Sequence, residues 1–232
     1  MTRKGTKKGS NEDRTLIKRY DNGAFLIAVA DGMGGEPAGD LAAQIAIESL
    51  EGFNQDSDSP LEDLIKSIKA AGRVILKEVD QNQRLEGMGT TMTAVFNREN
   101  LCHWIHVGDS RLYLVREKMI KQITEDHTPA GVLLVEGEIT KEEARIHPLR
   151  NLLFEGVGCG DFAADSGTFR VTEGNILLLA TDGLHNALPE ETIAEILHLT
   201  PDLKENLRSL VVAASDAGSE DDVSVVGAQI KA

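Results

Sequence analysis

Two apolar runs that each end in Asp-Gly restrict this chain more than any other feature. Ala24-Phe25-Leu26-Ile27-Ala28-Val29-Ala30 leads straight into Asp31-Gly32, and Ile176-Leu177-Leu178-Leu179-Ala180-Thr181 leads into Asp182-Gly183. Runs of this length and apolarity read as buried strands, so each delivers a carboxylate to the C-terminal mouth of a core strand. A third segment reverses the order: Glu220-Asp221-Asp222 precedes the apolar Val223-Ser224-Val225-Val226. Antiparallel neighbours bring these ends together. Carboxylates gathered at one edge of a core repel one another and lose hydration, a cost that cations offset. All-oxygen ligands select magnesium or manganese over zinc or copper. Either Asp-Gly alone is a turn; the set together reads as a metal site.

The rest of the chain reads as strands and helices in blocks. Thr15 to Tyr20 and Ala24 to Ala30 form a hairpin around Asp21-Asn22-Gly23. Pro37 opens a helix with Leu41, Ile45, Ile47 and Leu50 at near-helical spacing, ending before Gly52. A second helix runs from Pro60 towards Val79, with Leu61, Leu64, Ile65, Ile68, Ile75 and Leu76 on its apolar face. Residues 91–96, 101–107, 112–116 and 119–123 predict an antiparallel meander. From about Glu125 to Gly160 the pattern is irregular, with one short helix started by the capping box Thr140-x-x-Glu143. Strands at 168–171 and 176–181, helices at 189–199 and 201–217 and a closing strand at 223–230 complete an α+β chain with mainly antiparallel sheets. No βαβ alternation supports a Rossmann sheet, and neither GMGG nor GMGTT supplies a GxxxxGK[ST] phosphate loop, which excludes the common nucleotide folds.

Composition narrows the partners. A formal charge of −14 repels nucleic acid and anionic membranes. The basic start (Arg3, Lys4, Lys7, Lys8) is followed by no signal-peptide core, and no apolar run is long enough to span a bilayer. The expectation is a soluble, cytoplasmic protein. Cys102 and Cys159 fit no zinc or CxxC spacing and read as reduced structural residues, with a disulfide as the alternative.

In order, NED (11–13), VADGMGG (29–35), GMGTT (87–91), VGDSRLY (107–113), EDHT (125–128), HPLRN (147–151), ATDGL (180–184) and the EDDVSVV ending resemble the metal-dependent type 2C (PPM) serine/threonine protein phosphatases of bacterial type. The resemblance covers nearly the whole chain. It implies one catalytic domain over 1–232 with a four-layer α-β-β-α sandwich and a flap at about 126–158. It also implies hydrolysis of phosphoserine and phosphothreonine by a water bridging two Mn2+ or Mg2+ ions, with a weaker third metal. Asp31, Asp182 and Asp221 are then the catalytic metal ligands, with the Gly32 carbonyl. Asp109 serves the third metal, Glu12 and Asp13 act through metal-bound waters, and Lys8 stands where many relatives carry a phosphate-binding arginine. The implied partner is a phosphorylated protein, a kinase or its target, acted on by a monomer that opposes a serine/threonine kinase.

The chain departs from the family at four places. Lys8 lacks the planar fork of arginine. Met33 and Glu36 occupy positions where relatives place histidines, leaving solvent, a metal-bound water, Glu36 or His127 as the proton donor. Asp222 replaces a common Asn, either tightening metal binding or pointing outward. A noncatalytic relative that binds a partner with this fold is the competing class, and the intact Asp31, Asp182 and Asp221 oppose it.

Overall fold

A computed structural model describes residues 1–33, 35 and 38–231. Gly34, Glu36 and Pro37, and with them the expected helix start and one candidate proton donor, lie outside the described residues. In chain order the elements are β1 (Thr2–Arg3), β2 (Arg14–Arg19), β3 (Phe25–Ala30), β4 (Gly32–Met33), α1 (Ala38–Glu48), α2 (Pro60–Gln81), β5 (Gly89–Thr90), β6 (Met92–Arg98), β7 (Leu101–Val107), β8 (Arg111–Arg116) and β9 (Met119–Gln122). They continue as α3 (Pro129–Val135), α4 (Lys141–Ile146), β10 (Asp165–Arg170), β11 (Ile176–Ala180), α5 (Asp182–His185), α6 (Glu190–Ile196), α7 (Leu203–Asp216) and β12 (Val223–Gln229).

Two antiparallel sheets form the centre, ordered β1-β12-β11-β8-β9 and β10-β7-β6-β3-β2. Strand alternation sends successive side chains to opposite faces, and the core divides accordingly. Ile27, Val29 and Val95 meet Leu112, Leu177, Leu179 and Val226 between the sheets. Leu26, Ala28 and Phe96, on the other face, pack against Leu64, Ile68 and Ile75 of α2. Leu178, Ala180 and Val225 pack against Ile193 of α6 and Leu210 of α7. The result is the α-β-β-α sandwich that the resemblance implies.

Helix α1 buries Ala38, Gly39, Ala42, Ala43, Ala46 and Ile47, while Leu41 is exposed. Its buried face is therefore small-residue rather than leucine-rich. Gly39 shows why: a Cβ there would stand 2.7 Å from Glu12 Oε1, and one on Gly32 would stand 2.1 Å from the Gly39 carbonyl oxygen. Helix α2 carries its apolar face as expected, except that Leu76 is solvent-facing.

The expected meander at 91–123 is corrected to two hairpins in different sheets. β6 and β7 pair around Glu99-Asn100, both at positive φ (52° and 62°) as a tight two-residue turn requires. β8 and β9 pair in the other sheet. The chain changes sheets at Gly108, whose φ of +104° and contact with Thr91 exclude a side chain. That crossing carries Asp109. The irregular stretch after Glu125 holds the expected capping box at Thr140 and Glu143. It also contains α3, whose Thr128 cap accepts from the Gly131 N–H and which the sequence reading passed over.

Candidate active site

Because β3 and β11 end at the same edge of the sandwich and β12 begins there, Asp31, Asp182 and Asp221 arrive together. They line a cleft of about 520 Å³ with Lys8, Glu12, Gly32, Met33, Thr91, Asp109, Asn151 and Leu153. Asp13 is not on its wall. It is buried behind, accepting from Thr181 Oγ1 at 2.9 Å. A larger cavity of about 680 Å³, lined in part by Arg116, Glu173, Ile176 and Gln229, sits at the opposite ends of the same strands and contains none of these acids.

The backbone carrying each acid is fixed by specific bonds. The Asp31 N–H donates to Thr91 Oγ1 at 3.0 Å, and the Asp31 carbonyl accepts from the Thr91 N–H (2.9 Å) and Thr90 Oγ1 (2.8 Å). Thr91 Oγ1 in turn lies 2.7 Å from Ser110 Oγ. Thus the GMGTT segment ties the Asp31 loop to the turn that carries Asp109. Gly183 is required by close approach, since a Cβ there would lie 2.0 Å from the Asp222 carbonyl oxygen. Asp222 neither points outward nor lines the cleft: its Oδ1 and Oδ2 accept from the Gly5 and Glu12 N–H groups, both at 2.8 Å. It latches the N-terminal arm beneath the site.

Sequence reasoning missed Thr181, the role of Asp222, and Asn186. Asn186 Nδ2 donates to Asp182 Oδ2 at 3.0 Å and to Asn151 Oδ1 at 3.3 Å, joining a site acid to the HPLRN segment. Its position four residues after Asp182, on the α5 turn, is a signal that places both side chains on one face. His127 stands outside the cleft, accepting from the Gly108 N–H on Nδ1 (3.3 Å) and stacking on Phe154.

The electrostatics are those of acids held too close. Burial pushes the Asp182 carboxyl up to about 6, with Asp221 adding to it and Lys8 opposing. Burial, relieved in part by hydroxyl donors and worsened by Asp222 and Asp182, raises Asp13 to about 7. Asp31 is raised well above the ordinary range by desolvation and then by Asp13, Asp182, Asp109 and Asp221. Asp109 is raised by burial and then by Asp182 and Asp126. The Lys8 ammonium reaches Glu12 Oε2 at 2.6 Å and Asp221 Oδ1 at 3.3 Å. Burial works against its charge, but Glu12, Asp221 and Asp31 hold its pKa above the usual lysine value.

The residues fit divalent cations. Glu12 Oε1, Asp13 Oδ1 and Asp182 Oδ1 are buried carboxylate oxygens with no hydrogen-bond partner among the described residues, an arrangement that costs stability unless a cation completes it. Among the described residues no three acid, histidine or cysteine side chains form a closed ligand set; the Lys8 ammonium stands against two of the acids instead.

A pH prediction follows from the raised carboxyls. Their folded values, about 6 and about 7 for Asp182 and Asp13, lie above the unfolded reference of about 3.9. Their stabilising contribution is full below the unfolded value and is lost as pH rises through the folded values. Chelated protein should therefore melt at progressively lower temperature from about pH 4 to about pH 7.5, and Mn2+ should restore more stability at the upper end than at the lower. A metal-induced shift that is flat over this window would contradict the reading.

The family model described as Protein phosphatase 2C matches residues 3–222. The chain belongs to the protein phosphatase 2C family. It is 37% identical over 231 residues to the serine/threonine protein phosphatase PstP of Mycobacterium tuberculosis, covering 98% of this chain and 43% of that protein. It therefore spans less than half the length of that relative. It is 33% identical to the serine/threonine phosphatase stp of Listeria monocytogenes, covering 97% of this chain and 92% of that one. The crystal structure of M. tuberculosis PstP superposes with a TM-score of 0.92 at 34% identity, over 100% of this chain and 97% of that one. A PstP catalytic domain in complex with two manganese ions gives a TM-score of 0.89 at 33% identity, over 100% and 96%. The 2C fold thus accounts for the sheet order.

Proposed function

We propose that the protein is a metal-dependent serine/threonine phosphoprotein phosphatase, with residues 1–232 as one catalytic domain and about 126–158 as its flap. The observation that carries this reading is the set of partnerless buried carboxylate oxygens beside a cleft open enough for a phosphorylated side chain. Likeness to relatives that are serine/threonine phosphatases supports it. Asp31, the Gly32 carbonyl, Asp182 and Asp221 would hold two divalent cations, Mn2+ or Mg2+, with Asp109 serving a weaker third and Glu12 and Asp13 acting through water. Those cations would supply a nucleophilic water of lowered pKa and neutralise charge on the phosphoryl oxygens.

The chain's own groups do the positioning. Thr90 and Thr91 fix the Asp31 loop, Asn186 orients Asp182, and Asp222 fastens the Glu12 backbone. Lys8 lines the same cleft, and its ammonium suits a phosphate oxygen as a point charge. Among the described residues no helix is long and apolar enough to cross a membrane. A cytoplasmic monomer that acts on phosphoproteins of a serine/threonine kinase pathway completes the proposal.

The test is hydrolysis of a phosphothreonine peptide by the purified protein with Mn2+, with Mg2+ and with chelator. Turnover that appears with metal, stops on chelation and returns on metal addition is the expected result. Folded protein inactive with every metal would replace this reading with a noncatalytic, partner-binding role.

A further inference from the structure

A second cavity of about 460 Å³ adjoins the cleft, sharing Lys7, Lys8, Asn151, Asp182 and Asp221 with it. Its remaining wall includes Gly183, Asn186, Ser219 and two flap arginines, Arg145 and Arg150. The arginines differ from the other cations near the site. Lys7 is paired with Glu220, Lys8 with Glu12 and Asp221, Arg14 with Asp40, and Lys141 with Glu190. Arg145 and Arg150 have no carboxylate partner among the described residues. Arg145 Nη1 reaches only the Asn186 carbonyl, at 3.5 Å, and Arg150 Nη1 only the His147 carbonyl, at 3.3 Å.

Both side chains are half-buried, so their charge is neither fully hydrated nor neutralised. Other cations among the described residues also lack a carboxylate partner; these two guanidinium groups are set apart by facing one cavity that is continuous with the cleft and whose wall also carries Asp182, Glu220 and Asp221. A guanidinium presents a planar fork that matches a carboxylate or phosphate with two parallel bonds.

We propose that Arg145 and Arg150 form a subsite for a second anionic group on the substrate, an acidic side chain or another phosphate within a few residues of the one being hydrolysed. The inference rests on the phosphatase reading above and adds the substrate class: acidic or multiply phosphorylated segments. Continuity of the two cavities favours an anion carried on the same chain over a free ion. The protein's own negative field repels such a segment at a distance, so the preference is local and weakens as salt screens it.

The experiment compares kcat/KM for phosphothreonine peptides flanked by Asp, by Ala, by Lys or by a second phosphothreonine, using wild type, Arg145→Gln/Arg150→Gln and Arg145→Glu/Arg150→Glu with Mn2+. Ratios between peptides cancel any change in folded fraction or general rate. Wild type should favour Asp over Ala by about three- to fivefold, as expected of ion pairing at a half-exposed site. The ratio should fall to about one in the Gln variant, and the Glu variant should prefer Lys. A further gain with the second phosphate would name phosphate as the natural group; an equal or smaller rate would name carboxylate. Equal use of all peptides by wild type, or an Asp preference intact in the Gln variant, would overturn the subsite while leaving the phosphatase reading standing. No turnover of any peptide by wild type would remove both.

Discussion

Asp31→Asn should give a protein that is harder to melt without metal and nearly inert with it. Asp31 stands among Asp13, Asp182, Asp109 and Asp221, and all four raise its pKa beyond what desolvation does alone. The amide is close in size to the carboxylate, removes one charge from the cluster and leaves the Asp31 backbone bonds to Thr90 and Thr91 intact. Relief of like-charge repulsion should stabilise chelated protein at neutral pH, read as a higher melting temperature than wild type. The same substitution deletes a ligand oxygen from the centre of the proposed cation site. If that oxygen supplies about 4 kcal/mol of charge stabilisation in the transition state, turnover of a phosphothreonine peptide falls by about 10³-fold. Thermal unfolding in chelator and kcat/KM with Mn2+ read the two effects separately. A loss of stability in chelator would show that Asp31 is not a strained acid, and activity kept within about tenfold of wild type would show that it is not a ligand.

This opposition between stability and activity explains why the site was legible in the sequence while its supports were not. An acid placed at the end of Phe25–Ala30 or Ile176–Ala180 is conspicuous because it breaks a buried apolar run, and strand period alone says where the run points. Antiparallel layering, the Asp21-Asn22-Gly23 hairpin turn and the Thr140 capping box were readable for the same local reasons. What holds the acids in place is not local. Asp222 is bonded to backbone 210 and 217 residues away, Thr181 to Asp13 across 168 residues, and Thr91 to Ser110 across a change of sheet. No periodicity announces such pairs. The crossing at Gly108 was hidden in the same way, since β7 and β8 each read as good strands and nothing in their composition names the sheet each joins. Small residues on α1 also read as weak signal, though it is their smallness that lets the helix close over Glu12.

Arg111→Leu should cost more stability than any surface substitution, because it strands a charge where the proposed flap begins. Arg111 Nε donates to Asp126 Oδ1 at 2.8 Å and Oδ2 at 3.1 Å, and Nη2 to Oδ2 at 2.6 Å. Nη1 reaches the Tyr113 hydroxyl at 3.1 Å, and Gln122 Nε2 adds a bond to Asp126 Oδ1. The next residue, His127, donates its N–H to the Gly108 carbonyl at 2.8 Å, so the pair fastens the start of the proposed flap to the turn that carries Asp109. Burial alone would raise the Asp126 carboxyl, yet the charge and hydrogen bonds of Arg111 hold it below its ordinary value. Removing one partner of such a pair costs about 3–5 kcal/mol, or roughly 10 °C for a chain of this size. The sign of its pH dependence is that of a depressed acid. Stability from the pair is present above the unfolded carboxylate value of about 3.9 and is lost as pH falls through the folded one, so wild type and variant converge in acid. The double variant Arg111→Leu/Asp126→Asn removes both charges and should recover much of the loss, whereas two unrelated sites would simply add. Urea unfolding of the two single variants and the double variant measures this directly: strict additivity, or a cost for Arg111→Leu below about 1 kcal/mol, would mean that the flap is fastened by its backbone bonds and not by this ion pair.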